Sequence, residues 1–472
     1  MNNKAIVFIK NFSYALSSNF ISLLISTLVV LIIPKLIGVQ EYGYWQIYMF
    51  YSSYVGFMQF GWNDGIYLRY GGVKYQILDK KLFFSQFWML TFSQVIIACI
   101  MVSISILYSE NAERLFIFIM VAVNTVFMGV RAMPLFILQA TNRIKDYALI
   151  TVIGRYIYFI LIIIFLLFGI REYKLMIAAD LIGKIISLIY SMYVCRDLVA
   201  QKITLFYFSF RETFDNIKAG IKLMFANIAS MLIVGTVRFG IERSWDVATF
   251  GKISLTISIS KFIMIFLNAI GIIMFPILRR TKEENLSDIY STMRDFLMIG
   301  LLGMLIIYYP INNVLSVWLP EYSESILYMA LVFPVFIYEG KMVLLINTYF
   351  KTLRKEVLML KVNVFSLISS VVTTFITVAI LKNLNFVILS IVVLLAFRSI
   401  LAEVLLSKLL QVNVIKDIVF ESLLTIIFMI SGWFINSWTT IFIYTFSYGV
   451  YLLLKRNDIY QTHKNIKSLM KA

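Results

Sequence analysis

Residues 83–107, FFSQFWMLTFSQVIIACIMVSISIL, form an apolar run that no charged residue interrupts. An α-helix needs roughly 20 such residues to cross the hydrocarbon of a bilayer, and this run exceeds that length. After a short polar break a second run follows at 114–139, RLFIFIMVAVNTVFMGVRAMPLFILQ. Lipid offers no water to backbone N–H and C=O groups, so two such runs in succession read as a helical hairpin through a membrane.

Working outward, further apolar runs fall at 14–37, 44–68, 147–169, 173–194, 219–241, 250–276, 295–317, 324–347, 357–381, 385–407, 414–433 and 436–454. About fourteen spans result, and they fill most of the 472 residues. The sequence therefore predicts an all-α polytopic membrane protein. Its 61% hydrophobic and 14% charged residues depart from the roughly 45–50% and 25% of soluble chains. That excludes an ordinary soluble enzyme, a disordered chain and a nucleic-acid-binding module.

Only Cys99, Cys195 and His463 carry thiol or imidazole. A disulfide framework, a Cys-rich metal site and intramembrane histidine chemistry are therefore not expected, and no cofactor is implied. Lys4 and Lys10 precede the first run with no small-residue cleavage signal, so that run reads as a retained helix.

The formal net charge of +17 arises from 42 Lys and Arg against 25 Asp and Glu. With fourteen spans, about 28 of the basic residues fall in the termini and loops of one side and about six on the other. This bias places both termini in the cytoplasm. Trp45, Trp245, Trp318, Trp433 and Trp438 lie near the opposite boundary, as an interfacial aromatic belt would. The longest loop, about 195–218, carries Phe206, Tyr207, Phe208 and Phe210 and reads as an interfacial linker between two halves.

An internal repeat supports two halves. One register lays Asn19 on Asn227, Ser22 on Ser230, Val39 on Val247 and Gly43 on Gly251. Six spans separate the copies, so the halves share orientation, as parallel transporter repeats do. The expected organisation is a six-helix bundle at 1–196, a linker at 197–218, a second bundle at 219–410, two extra helices at 411–455 and a tail at 456–472.

Eight bases remain inside spans: Arg131, Arg155, Lys184, Arg238, Lys252, Lys261, Lys341 and Arg398, with four acids, Asp64, Asp180, Glu339 and Glu403. A charge within a bilayer costs several kcal/mol, so such residues face a bundle interior or a wet cavity. Taken singly, each has a plain structural reading. Asp180 and Lys184 stand at i,i+4 and can neutralise each other, and Arg238 and Lys252 are near enough to a boundary to snorkel. Taken together, the excess of bases calls for an anionic ligand. Polar stripes accompany them, with Ser254, Ser258, Lys261 and Asn268 on one helix face and Asn227, Ser230 and Arg238 on another. Such stripes serve as helix–helix glue or as a cavity lining; the charges within them favour the lining.

Catalytic signals are thin. There is no G-x-x-x-x-G-K-[ST] phosphate loop and no outer loop large enough for a glycosyltransferase or polymerase site. Gly71-Gly72 reads as a helix-terminus signal.

Several short motifs carry a family resemblance. They are Asn19 and Ser22 in the first helix, Pro34-Lys35-Leu36-Ile37-Gly38, Glu41-Tyr42-Gly43-Tyr44-Trp45, Phe60-Gly61-Trp62-Asn63-Asp64-Gly65-Ile66, Leu68-Arg69-Tyr70, Leu138-Gln139-Ala140 with Asn142-Arg143, and Pro276. In this order, over nearly the whole chain, they resemble the multidrug/oligosaccharidyl-lipid/polysaccharide exporter superfamily, and its polysaccharide flippase (Wzx) branch most of all. The resemblance implies two six-helix bundles around a central cavity, two extra C-terminal helices, and alternating access. It implies as cargo an oligosaccharide on undecaprenyl pyrophosphate, for O-antigen or capsule assembly beside a polysaccharide polymerase and a chain-length regulator. No family arginine is fixed by a tight motif.

The expected substrate contacts are Arg131, Arg155, Lys184, Arg238, Lys261, Lys341 and Arg398, with Asn19, Asn227 and Asn268 for sugars. Asp64, Asp180, Glu339 and Glu403 are the candidates for a coupling proton or cation. Competing readings are a cation-coupled multidrug or small-molecule exporter, which should favour acidic cavities, a lipid II flippase with the same charge logic, and, less well matched, a polysaccharide polymerase.

Overall fold

The structure is a computed structural model that describes residues 3–109, 111–262, 264, 286–435, 437 and 439–469. Among these the chain is helical, with no strand. Ten helices are long and apolar enough to cross a membrane, or eleven when Pro320–Val332 and Val335–Thr352, bent by 43°, count as one span. Val247–Ser260 and Thr439–Leu454 are apolar but shorter. Apolar side chains such as Phe92, Ile100 and Ile104 point outward and are half or more exposed, the pattern of a surface whose solvent is lipid.

Helix starts fall where short polar side chains can serve the orphan N–H groups of a first turn. Asp79 accepts from the Lys81 and Leu82 amides at 3.0 and 3.1 Å and opens Lys80–Tyr108. Asn111 accepts from the Arg114 amide at 2.8 Å and opens Ala112–Ala140. Asn383 caps Leu384–Leu410 through the Asn385 amide at 3.0 Å, which fixes the split between those two spans. Asn436, at the start of the 436–454 run, lies outside the described residues.

The second apolar run departs from expectation. Instead of one helix over 44–68 it is Val39–Ser52, a 3-10 turn at Val55–Gln59 and a short helix at Trp62–Arg69. The break has a local cause, because Phe60 and Gly61 adopt positive φ of 52° and 78°. It also has a tertiary cause. The short helix lies against the Phe210–Ser244 helix so closely that a Cβ on Gly220 would stand 2.0 Å from the Gly61 carbonyl oxygen. Arg69 then reaches Glu212 at 2.7 Å and Asn216 at 2.5 Å.

The chain divides into two compact units, Met1–Ile228 and Ala229–Ala472. The division falls inside the Phe210–Ser244 helix and not in a free linker, because the first turns of that helix dock on the first unit through Glu212, Asn216 and Gly220. The segment expected as a linker is folded, with Arg196–Val199 helical and Ile203–Leu205 a 3-10 turn. In the second unit the Ile415–Phe434 and Thr439–Leu454 helices and the tail helix Arg456–Leu469 pack with Leu286–Met304.

Candidate functional site

In the first unit the site begins at a helix crossing. A Cβ on Gly183 would come 2.6 Å from the Gly154 carbonyl oxygen, so Ile144–Leu167 and Tyr173–Val194 touch backbone to backbone. Small residues permit this approach between membrane helices. The Ser187 hydroxyl reinforces it by donating to the Ile150 carbonyl at 2.7 Å. The residues that follow the two glycines are Arg155 and Lys184, so the crossing sets two cations at one level.

Lys184 donates to Asp180 one turn earlier, and the Tyr48 hydroxyl donates to the same carboxylate at 2.7 Å. That carboxylate is therefore shared between a cation and a phenol. Arg131, from Ala112–Ala140, lies within electrostatic reach of Arg155, Lys184 and Asp180. Its contact among the described residues is the Met128 sulfur at 3.9 Å, and its buried Nε has no hydrogen-bond partner there. Arg155 is exposed and makes no ion pair among the described residues. Three bases thus share one acid.

The second unit also gathers bases and acids, with different residues. Arg398, 2% exposed, donates from Nε to the Asn363 side chain at 3.0 Å and pairs with Glu339 at 3.2 Å. Arg238 donates to the Ser254 hydroxyl at 3.0 Å and stands 5.4 Å from the centre of the Phe250 ring. Lys261 follows the last turn of Val247–Ser260, is exposed, and feels both Arg238 and Glu339. Arg398 and Lys261 share Glu339, while the buried Glu242 lies one turn beyond Arg238 on the same helix.

Two expected site residues are placed elsewhere. Lys341 was assigned to the substrate and Glu403 to a coupling ion, yet the two are paired to each other in a buried network. Arg294 joins Glu403 at 2.6 Å, Glu421 at 2.8 Å and Asp417 at 3.3 Å, while Lys341 also holds Glu421 at 2.8 Å. Lys455 extends the network to Asp417 at 2.7 Å, Asp295 at 2.9 Å and Asp458 at 3.0 Å. The physical reason is that a π-helical turn at Lys341–Ile346, beside the bend in its span, holds the Lys341 ammonium against Leu384–Leu410 and Ile415–Phe434. Desolvated charges are tolerable when mutually paired, and such a pair offers no free charge to a ligand.

Sequence reasoning missed Glu421, which lies within the 414–433 run, and left Arg294 among the loop residues. Its signal was there: a carboxylate mid-span demands a partner, and Arg294 opens the neighbouring run. Lys252 pairs with Glu324 at 3.4 Å at a helix end, the snorkelling geometry. Asp64 is partly buried in the Trp62–Arg69 helix and has no ion pair among the described residues. Asn227 is exposed. Asn268 and Pro276 lie outside the described residues, as does the side chain of Asn19.

What remains after these assignments is Arg131, Arg155 and Lys184 with Asp180 in one unit, and Arg238, Lys261 and Arg398 with Glu339 and Glu242 in the other. No protein-family model and no curated protein sequence matches the chain. Solved structures do. A multidrug-resistance MATE-family transporter of the MOP superfamily, inward-facing, aligns with TM-score 0.65 at 12% identity over 82% of this chain and 94% of its own. The lipid II flippase MurJ, in an inward closed conformation, aligns with TM-score 0.65 at 12% identity over 96% of this chain and 100% of its own. The fold is that of the MOP-superfamily transporters. A third member, from Pyrococcus furiosus and described as having a binding pocket of reverse polarity, aligns with TM-score 0.52 at 14% identity over 85% of this chain and 96% of its own.

Proposed function

We propose that the chain is a flippase for a polyprenyl-pyrophosphate-linked oligosaccharide, of the kind used in O-antigen or capsule assembly, in a bacterial inner membrane with both termini cytoplasmic. The observation that carries this reading is the three-to-one balance of bases over acids around Asp180 in the first unit, after the buried network has been set aside. A pyrophosphate offers two or more negative charges, and guanidinium forks match its oxygens in bidentate fashion. Arg131 and Arg155, which have no carboxylate partner of their own, are the best suited of the six to meet it. The exposed Asn227 amide is suited to sugar hydroxyls.

The same balance weighs against the multidrug-exporter reading, since cationic drugs would be repelled. The MurJ alignment adds support for a lipid-linked cargo, and a lipid II flippase remains the nearest competitor. With no nucleotide-binding motif in the sequence, transport would draw on an ion gradient or on removal of product. Asp180 and Glu339, each already shared with cations, are where a coupling proton would compete.

The deciding experiment is a deletion strain assayed for lipid-linked repeat units and for the leaflet that holds them. Accumulation on the cytoplasmic face supports the proposal. Normal surface polysaccharide together with lost drug resistance would replace it with the exporter reading.

A further inference from the structure

In the second unit a cavity of about 370 Å³ lies where the Tyr308–Trp318 helix meets the segment after Ile415–Phe434. Its wall includes Tyr308, Tyr309, Asn312, Asn313, Ser316 and Thr440, with no charged side chain among the described residues. A larger cavity in the same unit, about 730 Å³, is lined mainly by Leu, Val, Ile and Phe, so polarity is a local property of the smaller one. Its volume falls in the usual range for small-molecule sites, about 300–1,000 Å³.

Helical spacing builds it. Tyr308, Asn312 and Ser316 follow i, i+4, i+8 on one face, and Tyr309 and Asn313 stand beside them. Asn313 donates to the Tyr309 carbonyl at 2.8 Å and is held in place by it. The Tyr308 ring is packed against Phe428, Tyr309 and Phe333 at 5.1, 5.2 and 5.5 Å. Tyr308 is 2% exposed, and its hydroxyl, beside Gly432 of the same wall, has no hydrogen-bond partner among the described residues. Buried hydroxyls are ordinarily paired, and this one is fixed in position by its ring at the edge of a polar space.

We propose that this cavity binds an uncharged, hydroxyl-rich group: a neutral sugar residue or a glycerol headgroup. Amides and hydroxyls both donate and accept, as sugar hydroxyls do, and aromatic walls supply apolar area to the C–H faces. A phosphate inside the cavity would find no counter-charge, so only the terminal glycerol of a phospholipid headgroup would enter it. The orientation proposed above sets the cavity on the extracytoplasmic side, where a delivered glycan would be; that placement rests on the flippase reading, whereas the binding does not.

The test uses the full chain in phosphatidylcholine nanodiscs, with methyl α-D-glucopyranoside and maltotriose as probes in saturation-transfer NMR. A parallel arm adds phosphatidylglycerol to the discs and measures retained lipid by native mass spectrometry. Tyr308→Phe removes one unpaired hydroxyl and should leave thermal stability unchanged while weakening binding about fivefold; Asn312→Leu should weaken it further. Tyr308-dependent binding of the glycosides supports a saccharide source. Tyr308-dependent retention of phosphatidylglycerol alone supports the same site with a lipid source. If neither probe depends on Tyr308, the proposal is overturned. Glycoside binding in a protein whose deletion strain exports polysaccharide normally would keep the site and remove the flippase reading.

Discussion

Gly154 and Gly183 meet so closely that a methyl group on the second would stand 2.6 Å from the carbonyl oxygen of the first. That single crossing places Arg155 and Lys184 at one level, two of the three bases gathered around Asp180. Gly183→Ala must push two helix backbones apart, and overpacking of this kind costs about 1–3 kcal/mol. A lowered midpoint in a thermal unfolding assay of the detergent-solubilised protein is the expected result, with Ala178→Gly on the same helix as a mild control.

Arg131→Ala and Arg155→Ala should each lower export of lipid-linked repeat units about tenfold or more, the loss expected of a charge-assisted hydrogen bond. Membrane insertion and abundance should stay normal, because neither side chain has an ion pair to lose among the described residues. Arg155→Lys should retain part of the activity. Full complementation by both alanine variants would remove the cationic site from the proposal. Lys261→Ala is expected to behave in the same way for the second unit.

Glu403 behaves differently, since it is fully buried between Arg294 and Lys341. Glu403→Ala leaves two cations short of a partner and should destabilise the protein by about 3–5 kcal/mol. Abundance in membranes should drop along with any transport. The double variant Glu403→Leu with Lys341→Met removes both members of a pair and should recover a good part of that stability. An unfolding measurement on the two variants separates a structural network from a transport site.

Lys455 sits just beyond the last apolar helix. Burial works to lower its ammonium, but Asp417, Asp295 and Asp458 outweigh burial and hold it above the ordinary lysine range. A lysine raised in the folded state stabilises fully below its unfolded value of about 10.4, and the stabilisation fades as pH rises through the higher folded value. Thermal stability measured above about pH 10.5 should therefore decline, and Lys455→Met should lower stability at pH 7 while flattening that alkaline decline.

Cys195 is buried and its thiol is pushed up to about 11, chiefly by desolvation. Because the thiolate is the nucleophile, Cys195 should resist a maleimide at pH 7 in the folded protein and react fast once denatured. Rapid labelling of a Cys99→Ser variant under native conditions would contradict the packing of the Tyr173–Val194 helix end.

Much of this protein was legible in one dimension. Runs such as 83–107 and 114–139 are set by the chemistry of hydrocarbon alone, and polar breaks near Asn111 and Asn383 mark ends because those side chains cap helices. The bias of Lys and Arg toward alternate loops and the cluster of mid-span cations are equally properties of the chain. What the sequence did not contain is which charges meet. Lys341 and Arg155 look alike as intramembrane cations, but a π-turn carries the first to Glu403 and Glu421, while a glycine crossing sets the second level with Lys184, with no ion pair of its own among the described residues. Likewise the break at Gly61 depends on Gly220, far along the chain. Periodicity and hydropathy are local quantities. Ion pairing falls off within a few ångströms and is decided by side chains from helices distant in sequence, so only the tertiary structure could separate the charges paired in the buried network from those with no ion pair among the described residues.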